Sequence, residues 1–404
     1  MTAVGAERIT SAEQARAVAA RLAAEFAPGA ARRDRDRKLP FAEVDRLAAS
    51  GLLAATVPAA LGGADLASSD LAEVVRLLAV ADPNIAQIPH SHFVYVNLLR
   101  LAGSEAQQRR YLGQVLEGAR IANAQSERGG ATVAEIATTI RPVDDGRRFR
   151  VDGVKYYCTG SLFADLLAVL TRLDDPDGRS GLPPGQYIAY LPADTAGIEI
   201  IDDWNGIGQR TTGSGTVTFD RVGVDRDQLV HRSAAVDAPT AYGAFAQLLH
   251  TAIDTGIARG ALTAAADFVR ERSRPWFEAG VERAIDDPLV VQRFGELAVT
   301  VTAAEAALER AGAAVDSARH RPAQVSDASI AVATAKVLAD RAATEVSSAL
   351  FEVSGTRSAA AELNLHHFWR NARTHTLHDP VRWKYQHIGR SLLHGTPPPL
   401  HGVI

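Results

Sequence analysis

Two imidazoles, His375 and His378, stand three residues apart in the stretch from Arg370 to Lys384, RNARTHTLHDPVRWK. On a helix that spacing brings both rings to one face, where they can converge on a bound group. Imidazole titrates near neutrality and passes protons to and from a reacting oxygen, so the pair is a candidate for acid–base work. Two polar histidines near a helix end account for the spacing equally well. A second stretch, Pro89-His90-Ser91-His92-Phe93-Val94-Tyr95, adds two histidines and a phenol. The segment Lys155-Tyr156-Tyr157-Cys158-Thr159-Gly160-Ser161 adds hydroxyls and the only cysteine. A lone Cys158 excludes an intrachain disulfide and a cysteine-cluster metal site, and it is expected as a buried small hydrophobe rather than a nucleophile.

Three textures of chain must position these groups. From Ser11 to about Gly118 apolar residues recur three and four apart, as in AEQARAVAARLAAEF and DLAEVVRLLAVAD, with Pro28-Gly29, Val57-Pro58 and Gly62-Gly63 as breaks. From about Ile121 to Arg232 short alternating or β-branched runs such as QYIAYLPA and GTVTFDRVGV lie between turn-forming pieces, Asp144-Asp145-Gly146 and Pro183-Pro184-Gly185 among them. Antiparallel strands are predicted there. After Pro239 long Ala-rich helical segments return, and they read as a bundle whose small residues permit close packing. The predicted division is 1–118 helical, 119–232 β and 233–404 a helical bundle.

The totals narrow the function. The chain has 404 residues, 22% charged and 47% apolar, the profile of a globular protein with well-buried cores. No apolar run approaches the roughly 18 to 20 residues that cross a bilayer. The alanine-rich start carries interspersed acids and no secretion-signal pattern, so a cytoplasmic location is expected. A net charge of -4 and the absence of a basic stripe interleaved with aromatics disfavour nucleic acid. A small-molecule partner is expected instead.

Several motifs carry a resemblance over nearly the whole chain. Val57-Pro58 through Gly62-Gly63 to Leu66, then Ser126-Glu127-Arg128-Gly129, then Gly208-Gln209-Arg210-Thr211-Thr212-Gly213-Ser214-Gly215-Thr216 followed by Val217 to Val222, stand in order along the three textures. Together they resemble the acyl-CoA dehydrogenase superfamily. That implies a mainly α fold with a central β-barrel-like domain between an N-terminal helical domain and a C-terminal four-helix bundle. Dehydrogenases of that superfamily use a glutamate base, whereas this chain has His378-Asp379-Pro380 in the aligned place. The segments NARTHTLHDPVRWKY, DDWNGIGQRTTGSGTV, ERSRPW and GTRSAAAELNL are similar to the flavin monooxygenase branch, the dibenzothiophene monooxygenase-like group and the oxidoreductases of dimethyl sulfone use. The resemblance implies a homotetramer that takes reduced FMN from a separate flavin reductase, uses dioxygen, and oxygenates a small organosulfur compound through a flavin peroxide. The chain has no GxGxxG behind a strand for a nicotinamide cofactor of its own.

Carried over residue by residue, the resemblance makes His92, Thr159 and His378 the catalytic set, with His375, beside His378, among the cofactor-binding residues. Asn123 and Ser126 fall at the flavin ring edge, Thr159 and Ser214 near its face, and Trp204 as a wall. Arg274 falls where the superfamily reaches the flavin phosphate from an adjoining subunit. Arg357 stands where dehydrogenases place a pair of glycines; a long side chain there crowds the second half of a dinucleotide and favours FMN over FAD. Tyr95 stands one residue before the expected phenol position, which Val96 occupies, and His90 is expected in solvent. Two rival functions stay open: an FAD-dependent dehydrogenase with Asp379 as base, and a non-catalytic flavin-binding homologue.

Overall fold

The computed structural model describes residues 6–132, 134–401 and 404. The N-terminal helices are α1 (Ala12–Asp36), α2 (Phe41–Ala49), α3 (Ser68–Ala81), α4 (Pro83–Gln87), α5 (His90–Ala102) and α6 (Glu105–Leu116). Their starts are written locally. The Ser11 side chain accepts from the Gln14 N–H at the head of α1, and Ser104 with Gln107 forms a reciprocal capping box on α6. Asp82 caps α4, which has Pro83 at its first position, where no N–H is needed.

The strands follow: β1 (Ile121–Ala124), β2 (Thr139–Val143), β3 (Arg148–Lys155), β4 (Leu166–Leu173), β5 (Gln186–Pro192), β6 (Ile198–Ile201), β7 (Thr216–Asp225) and β8 (Leu229–His231). They make one sheet in the order β6-β7-β3-β2-β4-β5-β8, with β1 added against β4. The expectation of antiparallel pairing holds for most neighbours but not for β1 with β4 or β2 with β4, which are parallel. Neither pair is joined by a hairpin. Long intervening segments return the chain in the same direction, and turn residues cannot reveal that. Ile121, Ala122 and Ala124 of β1 are buried beside Leu166 to Val169, while Asn123 stays partly open.

The helical bundle comprises the short α7 (Arg232–Val236) and then α8 (Tyr242–Glu271), α9 (Pro288–Ala318), α10 (Val325–Ser354), α11 (His367–His375) and α12 (Val381–His394). A single hydrophobic cluster runs from Leu22, Leu71 and Leu78 through Leu249, Ile253 and Ile257 to Ala335 and Ala343, so the first and last helical regions share one core. Small residues make the contact possible. A Cβ on Gly256 of α8 would stand 2.5 Å from the Ala79 Cβ of α3, and one on Gly260 would stand 2.5 Å from the Val80 carbonyl. The two glycines cut a groove that seats α3.

The basic run before the histidines also does structural work. Arg370 pairs with buried Asp34 of α1, and its Nη1 donates to the Ile207 carbonyl at 2.7 Å. Gly208 lies against the Arg370 carbonyl with no room for a side chain. The loop after β6 is thereby fastened to α11, and that loop carries much of the site.

Candidate active site

α11 ends at His375, so the pair that opened the sequence straddles a helix end. His378 lies in the following turn, its N–H donating to the His375 carbonyl at 3.0 Å, and the two rings are 6.5 Å apart. The two histidines therefore divide their work instead of sharing a face.

His375 turns inward. Its Nδ1 donates to Asp254 at 2.6 Å, and its Nε2 lies 3.1 Å from Nδ1 of His250. With both ring nitrogens engaged inside the bundle, the direct cofactor contact expected of it has no atom to make it. Asp254 is fully buried between His375 and Lys336, whose Nζ lies 2.9 Å away and which also pairs with Asp340. Burial opposes ionisation of Asp254, but His375 and Lys336 prevail and hold it well below the usual carboxylate range. Asp340 is pushed up by the same burial.

His250 is the centre of an imidazole cluster. Its ring stacks on His90 at 3.8 Å and tilts against His378 at 4.0 Å. The expectation of a solvated His90 is overturned: it is buried at the start of α5 and donates from Nε2 to the Ala246 carbonyl at 3.0 Å. Desolvation lowers it to about 3. Among the described residues no group of His, Cys, Asp and Glu is arranged to hold a metal. His378 is the accessible member. It is exposed to solvent, yet the protein packed around its ring lowers it to about 4. It is neutral at pH 7.

Asp379, the base in the dehydrogenase alternative, points the other way. It is 2% exposed and lies 2.5 Å from Nζ of Lys384. Burial pushes its carboxyl up, but Lys336 and Lys384 prevail and hold it low. A buried, ion-paired carboxylate of depressed pKa is a weak base.

His92 lies apart from the cluster. The Ile121 N–H donates to its Nδ1 at 3.1 Å, so the ring proton sits on Nε2, which donates to the Leu53 carbonyl at 2.9 Å. Burial lowers it to about 4. No ring nitrogen is left for the catalytic part expected of it. It is a strut between α5, β1 and the turn at Leu53. It borders a cavity of about 20 Å³ shared with Ile88, Ala122 and Gly160, roughly one water in size. Tyr95 is also a core residue, its phenol donating to Gln125 at 2.9 Å.

Thr159 sits in the turn after β3, next to Gly160, whose Cα faces the Ile88 carbonyl just before the His90 helix. Its hydroxyl lies 2.8 Å from that of Ser214, and Ser214 lies 2.7 Å from the hydroxyl of Thr212. Cys158 beside it is buried, and burial raises its thiol to about 12. Trp204 is half-buried, its indole N–H donating to the Gln209 carbonyl at 2.7 Å and its ring meeting Tyr157 edge-on at 6.0 Å. Tyr157, half exposed with φ +59, stood in the hydroxyl-bearing segment with no role of its own; a left-handed backbone at a bulky residue is visible only in three dimensions. Asn123 donates weakly to the Tyr157 carbonyl at 3.4 Å, and Ser126 lies one strand-end further along. The segment is anchored by buried Lys155, which pairs with Glu127 at 2.6 Å and donates to the Gln125 carbonyl at 3.0 Å.

These groups meet the bundle through the loop fastened by Arg370. The Gln209 N–H donates to Asn371 of α11 at 2.7 Å. Several buried polar atoms on this face have no hydrogen-bond partner: Asn123 Oδ1, both amide atoms of Gln209, Thr211 Oγ1, Asn371 Nδ2 and Thr374 Oγ1. Buried polar atoms rarely stay unpaired, so the interior around the Gln209 loop is a polar region that an ordered water would satisfy. Arg274 and Arg357 lie elsewhere, exposed at one end of the bundle. Arg357 donates to the Arg272 carbonyl at 3.0 Å, and Ser273 donates to the Ser354 carbonyl at 3.0 Å, which gathers the two arginines into one surface patch.

The chain matches the models of the acyl-CoA dehydrogenase N-terminal domain over residues 10–119, the middle domain over 122–222 and the C-terminal domain over 248–383. It is 32% identical to a dibenzothiophene monooxygenase of Rhodococcus qingshengii over 394 residues, covering 95% of this chain and 94% of that one. It is 33% identical over 390 residues, 95% of each chain, to the probable FMNH2-dependent monooxygenase SfnC of Pseudomonas putida. The crystal structure of FMN-bound TdsC from Paenibacillus sp. A11-2 superimposes with a TM-score of 0.90 at 33% identity, covering 96% of this chain and all of that one.

Proposed function

The chain belongs to the acyl-CoA dehydrogenase family, in its flavin monooxygenase branch, and on that footing we propose that it is an FMNH2-dependent monooxygenase that transfers one oxygen atom from dioxygen to a small organosulfur compound. The observation that carries this reading is the exchange of base for imidazole. Asp379 is withdrawn into an ion pair with Lys384, while His378 is neutral and accessible. Proton abstraction from an acyl thioester has no free carboxylate here, whereas a neutral ring N–H suits an oxygen held nearby.

The half-open Thr159, Trp204 and Asn123 support a flavin ring on this face, with Trp204 as its wall and Ser214 and Ser126 among its neighbours. FMN supplies the activation of dioxygen when bound; the chain orients it and keeps water away. His378 donates a hydrogen bond toward the reacting oxygen, and His250, His375 and Asp254 hold its ring from behind. His92 acts as a positioning residue through β1. Arg274 and Arg357 of a neighbouring copy hold the phosphate, which implies an oligomer, taken here as a homotetramer, and a planar guanidinium fork suits that contact. The domain limits follow the same scheme, 1–118, 119–232 and 233–404. Reduced FMN comes from a separate flavin reductase. Among the described residues no helix is long and apolar enough to cross a membrane, and a cytoplasmic site of action accords with that reductase supply.

The test is a coupled assay with a flavin reductase, NADH and a panel of sulfides, sulfones and sulfinates under labelled dioxygen. One labelled oxygen atom in the product is the expected result. Bleaching of bound flavin by an acyl thioester, anaerobically and without reductase, would establish the dehydrogenase alternative instead.

A further inference from the structure

The hydroxyl chain beside Thr159 has a direction, and the direction follows from counting protons. Each hydroxyl carries one proton and two lone pairs. The Thr212 hydroxyl lies 2.9 Å from the Gln209 carbonyl, which can only accept, so the Thr212 proton is committed there. The 2.7 Å contact between Thr212 and Ser214 must then use the Ser214 proton. The 2.8 Å contact between Ser214 and Thr159 must in turn use the Thr159 proton. Reversing any link leaves two oxygens in contact with no hydrogen between them. The chain runs from half-open Thr159 to Ser214 and Thr212, which are buried, so water does not compete for its inner links. Its end is rigid as well: the Gln209 carbonyl also accepts from the Trp204 indole at 2.7 Å, and the Gln209 N–H is tied to Asn371.

We infer that Ser214 and Thr212 are positioning residues that lock the Thr159 hydroxyl with its lone pairs outward, making it an acceptor that favours reduced over oxidised FMN. This rests on the proposed placement of the flavin ring against Thr159. Nitrogen N5 of the flavin carries a proton in the reduced form and a bare lone pair in the oxidised form. An outward-facing acceptor gains a hydrogen bond from the first and opposes the second. No bond is made or broken, and the effect is one of binding alone.

The experiment measures dissociation constants of the full-length protein for FMN, oxidised in air and reduced under anaerobic conditions, together with the midpoint potential of the bound flavin. One hydrogen bond is worth about tenfold in affinity. In Ser214→Ala the Thr159 hydroxyl turns freely, and in Thr212→Val the Ser214 proton is released to point at Thr159. Each variant is expected to lose about tenfold of the preference for reduced FMN, which lowers the two-electron midpoint potential by about 30 mV. Thr159→Ser, which keeps the hydroxyl, is expected to retain the wild-type ratio. The inference is overturned if Thr159→Val changes the ratio while Ser214→Ala and Thr212→Val both leave it at the wild-type value. If Thr159→Val leaves both constants unchanged, the placement of the flavin itself is wrong and the inference fails with it.

Discussion

His378 concentrates the chemistry, because it is the one imidazole of its cluster that is both open to the face and held neutral by its surroundings. General acid–base groups contribute about 10²–10⁴ in rate. His378→Ala is therefore expected to lower coupled oxygenation at least about a hundredfold while reduced FMN is still consumed, the balance appearing as hydrogen peroxide; the ratio of product to peroxide measures it. His92 has a different signature. Its folded pKa of about 4 lies below the ordinary value of about 6.5. The unfolded chain therefore takes up a proton as pH falls through about 6.5, and the folded chain does so only near 4. Stability contributed by the neutral ring is full above that window and is lost as pH drops through it, by roughly 3 kcal/mol. Urea unfolding between pH 7 and 4.5 should show the decline, to which the other buried histidines also contribute, and His92→Asn should make it shallower by about one proton's share; parallel slopes for the two proteins would contradict the assignment.

At the scale of elements, the site depends on contacts that hold helices and loops in register. α8 carries His250 and Asp254 and owes its place against α3 to the groove at Gly256 and Gly260. A methyl group at Gly256 meets Ala79 and the Arg76 carbonyl, a close approach that must push the helices apart. Gly256→Ala is expected to destabilise by about 1–3 kcal/mol, visible as a lowered urea midpoint with unchanged slope. Lys384 of α12 fixes the turn that bears His378 by pairing with Asp379. Lys384→Met takes from the buried Asp379 carboxylate its ion-pair partner and leaves only Lys336 to offset its charge, at a cost of about 3 kcal/mol, and the double variant Lys384→Met with Asp379→Asn should recover much of that loss.

At the scale of the whole molecule, the proposed flavin face at Thr159, Trp204 and His378 and the exposed patch of Arg274 and Arg357 serve one cofactor when one copy pairs with another. Arg357→Ala is expected to weaken FMN binding about tenfold with the fold and oligomer unchanged. Undiminished FMN affinity in that variant, or a monomer of full affinity by native mass spectrometry, would sink the intersubunit arrangement. The order of helical, β and helical regions was legible from periodicity alone, since a helix or strand writes its buried face every three to four or two residues. Motif order carried the family, and the family carried the cofactor. His375 and His378 were visible as candidates by type and spacing, and Thr159 and Trp204 by resemblance. The partners that define them were not: Asp254 meets His375 across 121 residues of chain, and His250 reaches the cluster across 125. Local sequence therefore determined which side chains were available and which elements they ride on. Tertiary structure alone decided that His90 is buried, that His375 faces inward, that His92 has no free nitrogen and that the Thr159 proton points away from the open face, because desolvation and hydrogen-bond direction depend on atoms brought near through space.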